Sequence, residues 1–173
     1  KEENTKEDIE DLRKIAPVWL SDISNLEDSF SMIESIGIIT NKKIEAISII
    51  DKIKQGFSEL TQLNPSKKSV VYFIWDDPGY TAGKGTFIDD MLTKCGLENA
   101  INESRYPEVH FGLNPDVIFL SSEPFPFKEK HIELYQKRYP NAVIKIVDGE
   151  MFSWYGSKLI ESPGYFKSLM STV

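Results

Sequence analysis

The 173-residue sequence holds a single cysteine, Cys95, so it can form no internal disulfide. It has no run of about 18 apolar residues, so nothing in it reads as a membrane-spanning helix. Positive charge is scarce too: 20 Lys and Arg stand against 27 Asp and Glu, for a net charge of −7 and a pI near 4.9. That balance argues against nucleic acid and against an anionic membrane surface as main partners. The two histidines, His110 and His131, fall in an irregular stretch and on a charged helix, where a surface or structural role fits better than catalysis. The sequence shows no nucleophile elbow, no zincin motif and no paired metal-ligand spacing. Asp76, Asp77, Glu123 and Glu150 offer oxygens for a hard cation, but their loops carry as many aromatic rings as oxygens, which argues against a dedicated metal site. Neither a catalytic nor a metal site is expected. The chain opens on Lys1 without an initiator methionine or a signal segment, and a processed or truncated chain is the expectation.

What is present is ordinary for a globular protein, 40% hydrophobic and 27% charged, and long enough for one domain or one domain plus a piece of another. The chain is organised around Val70–Asn99. Val70–Trp75, VVYFIW, reads as a strand buried on both faces, hence part of a parallel or mixed sheet. A loop with three glycines follows. From Thr86 the period changes: Phe87, Ile88, Met91, Leu92 and Cys95 share a helical stripe, and Gly96 stands at the position of a left-handed cap. On that stripe Cys95 reads as a small buried hydrophobe.

Before this unit, Lys1–Lys14 reads as a short exposed helix and Ala16–Leu20 as a short strand. Ser24 with Glu27 fits a capping box opening a helix through Leu26, Phe30, Ile33 and Ile36 or Gly37 to Thr40. A second helix begins after Asn41, with Ile44, Ile47, Ile50, Ile53, Phe57 and Leu60 at intervals of three and four; Asn64–Ser69 is a polar connector. After the central unit, Glu98–His110 is irregular. Val117–Leu120 and Ala142–Val147 read as strands, Lys128–Arg138 as a helix, and Ser162-Pro163 opens a last helix running to about Met170. Strands alternating with helices predict an α/β fold with right-handed crossovers and a mainly parallel sheet.

Three loops then share one sheet edge, where open α/β sheets usually bind ligands. They carry Trp75, Asp76, Asp77 and Tyr80; Ser121, Ser122, Glu123, Phe125 and Phe127; and Glu150, Phe152, Trp154 and Tyr155. Rings concentrated in loops suit a large, flat, partly polar ligand. The alternative for Phe125, Phe127 and Phe152 is that they plug the sheet end, whereas Trp154 and Tyr155, between glycines, are expected to be exposed. Gly79–Thr86 resembles a phosphate cradle only superficially: three residues separate Gly79 from Gly83, and Gly85 intervenes between Lys84 and Thr86. Two other classes of function stay open at this point, a nucleotide or phosphate enzyme using that loop, and an interaction module whose aromatic loops are covered by protein.

Several ordered motifs then combine. They are Trp75 and Pro78 in W-x-x-P; Gly83, Thr86–Ile88, Met91, Leu92, Gly96, Leu97 and Asn99 in G-x-x-TFI-x-x-ML-x-x-x-G-L-x-N; RYPEV from Arg105; NPDVIFLSSEPFPF from Asn114; and DGEMFSWYGSKL from Asp148. With PVWLSDI and LEDSFSMIESIG before them, they resemble the cobalamin-type, helical-backbone substrate-binding proteins of ABC importers across essentially the whole chain. The resemblance implies two α/β lobes joined by a rigid helix, with the ligand in the cleft between them. Residues 1–22 would be the remnant of a first lobe whose larger part is missing, 23–40 the bridging helix, and 41–173 a Rossmann-like C-terminal lobe. It also implies an extracytoplasmic protein, periplasmic or lipid-anchored, that is not an enzyme and needs no cofactor; a cobalamin-like corrinoid would be cargo. Trp75, Tyr80, Glu123, Phe125, Trp154 and Tyr155 would face that ligand. Iron-siderophore and haem carriers share the architecture, but Lys84 and Lys158 are the only cations near the three loops, which disfavours a strongly anionic chelate. Family members dock acidic residues on the membrane permease. Here the helix expected to follow RYPEV has hardly room to form, and Glu108 is the nearest acidic residue for that role.

Overall fold

The computed structural model describes residues 4–61, 67–109 and 112–173. His110 and the first half of the Asn64–Ser69 connector lie outside them.

Helix α1 (Lys6–Ile15) is capped by Thr5, whose hydroxyl accepts the Asp8 amide at 3.1 Å, and buries none of its residues. The strand expected at Ala16–Leu20 does not form. Among the described residues no neighbouring strand is there to take its backbone N–H and C=O groups, and Trp19 and Leu20 are left substantially exposed. Helix α2 (Leu26–Ile39) is capped by Asn25 rather than Ser24: the Asn25 side chain accepts the Asp28 amide at 3.0 Å. It buries Leu26, Phe30, Ile33 and Gly37, and Ile36 faces outward.

Helix α3 (Lys43–Thr61) is the longest described element. Its inward stripe is Ala46, Ile53, Phe57 and Leu60, with Ile50 partly buried, whereas Ile44 and Ile47 are exposed. This corrects the expected register at the start of the helix. A run of isoleucines spaced by three fits more than one stripe, and the packing against α2 selects among them.

Among the described residues the sheet has four parallel strands, β1 (Ser69–Phe73), β2 (Glu98–Asn99), β3 (Val117–Ser121) and β4 (Val143–Val147), in the order β2-β1-β3-β4. The two-residue β2 replaces the start of the stretch expected to be irregular. The central strands are buried on both faces, and alternation divides their side chains. Val70, Tyr72, Val117 and Phe119 point into one core with residues of α2, α3, α4 (Phe87–Lys94), α6 (Glu150–Ser153) and α7 (Ser162–Met170). Val71, Phe73, Ile118 and Leu120 point into a second core with Tyr135 and Tyr139 of α5 (Glu129–Arg138) and its C-terminal end.

Helix α4 follows its expected stripe, with Phe87, Ile88, Met91, Leu92 and then Cys95 buried, and Gly96 takes a φ of 78° just past its end. Burial pushes the Cys95 thiol well above its ordinary pKa, which leaves it a packing residue. The third loop is more ordered than expected: Glu150–Ser153 is the short helix α6. Four residues are too few for periodicity to reveal.

Candidate functional site

Because β1, β3 and β4 are adjacent and parallel, their carboxyl ends bring the three loops to one edge. In the first loop, the Tyr80 carbonyl accepts the Ile74 amide at 2.9 Å and the Trp75 amide at 3.3 Å. This folds the loop back on the strand end and leaves Trp75 and Tyr80 about two-fifths exposed. Asp76 accepts the Tyr135 hydroxyl at 3.1 Å.

The second loop supplies the link between the other two. The Phe125 ring lies 5.5 Å from Trp75 on one side and 4.8 Å from Phe127 on the other, with His131 5.5 Å away. Phe127 and Phe152 are buried and plug the sheet end, whereas Phe125 is half-buried and continuous with the exposed Trp75. His131 is buried in this ring cluster, in keeping with a structural role.

Two residues before Phe125, the Glu123 carboxylate reaches into the third loop. One oxygen accepts the Ser153 hydroxyl at 2.7 Å and the Trp154 indole N–H at 3.0 Å. Trp154 is thereby held by its ring nitrogen while half its surface stays open. Gly149 makes this approach possible: a Cβ there would lie 2.5 Å from Glu123 Cγ and 2.5 Å from Ser121 Oγ. Beneath it the buried Tyr72 hydroxyl donates to Ser121 Oγ at 3.0 Å, and Ser121 donates to the Glu123 carbonyl. Desolvation raises the Tyr72 phenol far above its ordinary range, so it remains a donor.

Tyr155 is exposed, as expected of it, but anchored on the side of α2 and α4. Its carbonyl accepts the Ser29 hydroxyl at 2.6 Å and its ring stands 5.7 Å from Phe87. Glu108 is exposed and bridged to Tyr80 in an antiparallel pair, at the border of the first loop. Ring packing therefore joins Trp75 with Phe125 and a hydrogen bond joins Glu123 with Trp154, both through the second loop. Tyr80 joins through the backbone of the first loop, and Tyr155 leans toward the helices. Ser153, Ser29 and Gly149 are the positioning residues that sequence reasoning did not single out.

The glycine-rich loop does not form a phosphate cradle. The amides of Gly83 and Lys84 donate to the Arg105 and Glu103 carbonyls at 2.7 and 2.8 Å, and that of Gly85 to Asp89 at 3.1 Å. Lys84 lies 3.6 Å from Asp89, and Thr86 caps α4. The groups that would hold a phosphate are already engaged. Among the described residues no group of three or more His, Cys, Asp or Glu side chains is placed to hold a metal ion. A separate apolar groove of about 220 Å³ lies between α2 and α3, lined by Met32, Ile33, Ile36, Ala46 and Ile49 and reaching Gly156.

A parallel sheet covered by helices on both faces, with aromatic loops gathered at its carboxyl edge, defines an α/β lobe of the helical-backbone binding-protein kind. The chain belongs to the periplasmic binding protein family, whose model matches residues 1–123. A possible iron-binding (periplasmic solute-binding) protein from Staphylococcus epidermidis is 25% identical; the match covers 95% of this chain and 69% of that one, with a TM-score of 0.75. The periplasmic heme-binding protein HutB of Vibrio cholerae is 20% identical over 98% of this chain and 74% of its own, at a TM-score of 0.76. The periplasmic vitamin B12-binding protein BtuF of Vibrio cholerae is 14% identical over 98% and 71%, at 0.72. The two Vibrio proteins share the fold with this chain. Among curated proteins no sequence matches it. The family is one of extracytoplasmic solute-binding transport proteins, not enzymes, and its members work with ABC transporter permeases. No described helix is long and apolar enough to cross a membrane.

Proposed function

We propose that this protein is the solute-binding component of an ABC importer, and that it captures a corrinoid of the vitamin B12 kind at the aromatic loop edge without chemical conversion. The observation that carries the reading is the ring set presented there: Trp75 against Phe125, and Trp154 held edge-on by Glu123. Exposed rings on a rigid sheet end offer a flat conjugated ligand a large contact area at little entropic cost. Tyr80 and Tyr155 extend that surface on either side.

The same proposal assigns residues 1–22 to the end of a first lobe, 23–40 to the bridging helix, and 41–173 to the lobe that carries this wall of the cleft. Glu108, exposed beside Tyr80, is the acidic residue proposed to meet the permease. The protein would work in the periplasm or tethered by lipid at the outer face of a membrane. A second reading, an iron-chelate or haem carrier on the same scaffold, is favoured by the similarity to the possible iron-binding Staphylococcus protein and to the heme-binding HutB.

Calorimetric titration of the full chain with cyanocobalamin, cobinamide, ferrichrome and haemin decides between them. Saturable binding that is tightest for a corrinoid is expected. A response to ferrichrome or haemin alone replaces the ligand and keeps the carrier, and silence with every solute rejects the carrier reading.

A further inference from the structure

Resting on that reading, we infer that the solute held at this edge is neutral or cationic, and that Glu123 sets the preference through its own charge and through the hold it keeps on Trp154.

Among the described residues, the two lysines carried by the first loop and by the stretch after the third are already paired with carboxylates. Lys158 Nζ lies 3.4 Å from Glu150 and 3.4 Å from Glu161, and Lys84 lies 3.6 Å from Asp89. The hydrogen bonds that the Lys158 ammonium donates to Glu150 and Glu161 raise its pKa, so it stays charged. Lys128 is the exposed N-cap residue of α5, and Arg105 has its own partners. The carboxylates facing the rings are different. Glu123 meets two uncharged donors, Ser153 and Trp154, and Asp76 meets the uncharged Tyr135 hydroxyl. Their negative charge is solvated or hydrogen-bonded but not cancelled.

An anionic complex brought to this wall therefore meets the uncancelled charge of Glu123, while Lys84 and Lys158 are already held by carboxylates. A cationic complex meets the Glu123 carboxylate and the electron-rich faces of Trp154 and Trp75. The indole N–H of Trp154, a donor that an anion would otherwise recruit, is engaged by Glu123. A neutral conjugated ring uses the aromatic faces alone and is indifferent to the charge.

The test is a titration of the full chain, followed by tryptophan fluorescence, with four probes of known charge: ferrioxamine B (cationic), ferrichrome and cyanocobalamin (neutral) and ferric enterobactin (anionic). A neutral or cationic probe is expected to bind at least about tenfold more tightly than the anionic one. Glu123→Gln retains an acceptor for Ser153 and Trp154 but removes the charge. It is expected to weaken the cationic probe about tenfold more than the neutral ones, so that the preference for the cation falls. Glu150→Gln combined with Glu161→Gln frees Lys158 and is expected to strengthen the anionic probe about tenfold. Tightest binding of the anionic probe by the unmodified protein overturns the inference and leaves the carrier reading standing. So does a Glu123→Gln variant that weakens neutral and cationic probes equally. Absence of binding by all four and by haemin overturns the carrier reading itself.

Discussion

Phe152→Ala is expected to destabilise the protein by about 3–5 kcal/mol, a large share of the roughly 5–15 kcal/mol that holds a domain of this size folded. The ring is fully buried, 4.6 Å from Phe166, 5.1 Å from Tyr72, 5.9 Å from Phe119 and 6.4 Å from Tyr165. It sits two residues before Trp154, so it fastens the third loop to the same core that β1 and β3 build. Truncation removes the contacts of one whole ring and leaves a cavity whose aromatic walls cannot collapse without moving the sheet. Urea unfolding checks it: the midpoint should fall sharply with the slope unchanged. Phe152→Leu, which keeps much of the volume, should cost roughly 1–2 kcal/mol. A loss below about 1 kcal/mol for the alanine variant would show that α6 is not anchored by this side chain.

Trp154→Ala should act in the opposite way, sparing stability and weakening solute binding by about 30- to 100-fold, or roughly 2–3 kcal/mol. Half of Trp154 is exposed, and its indole hydrogen bond goes to a carboxylate that Ser153 continues to satisfy. Its removal therefore opens no core cavity. What it removes is the ring that the third loop presents to the ligand. Trp154→Phe keeps a ring but loses the N–H that orients it, and an intermediate loss of about three- to tenfold is expected. Calorimetry on the three proteins with cyanocobalamin or the best-binding metal complex reads the effect. Unchanged affinity in the alanine variant would remove Trp154 from the site.

These two neighbouring aromatics mark how far the sequence could be read. Helix α4 was legible because Phe87, Ile88, Met91, Leu92 and Cys95 repeat at the helical period, and a polar threonine and a glycine bound the run. The central strands were legible because both of their faces are apolar. The register of α3 was not, since Ile44 and Ile47 keep the same spacing as the buried residues and only the packed neighbour tells inward from outward. Ala16–Leu20 has strand composition but no partner strand among the described residues, and a strand is a property of the pair. The cap at Asn25 instead of Ser24 is a shift of one residue between two good capping types.

The site divides in the same way. That three loops share an edge follows from alternating strands and helices, and the exposure of Trp154 and Tyr155 from their place between glycines. That Glu123 bonds Trp154 does not follow, because the partners are 31 positions apart and their meeting depends on the close approach of Gly149 to the second loop.

Hydrogen exchange of the full chain, with and without saturating cyanocobalamin or the tightest-binding complex, tests the central claim most directly, since it reports where the solute sits. Protection is predicted at 74–82, 122–127 and 148–156, with α3 unchanged. Protection confined to 32–49, along the apolar groove between α2 and α3, would contradict the account and move the binding site to the helices.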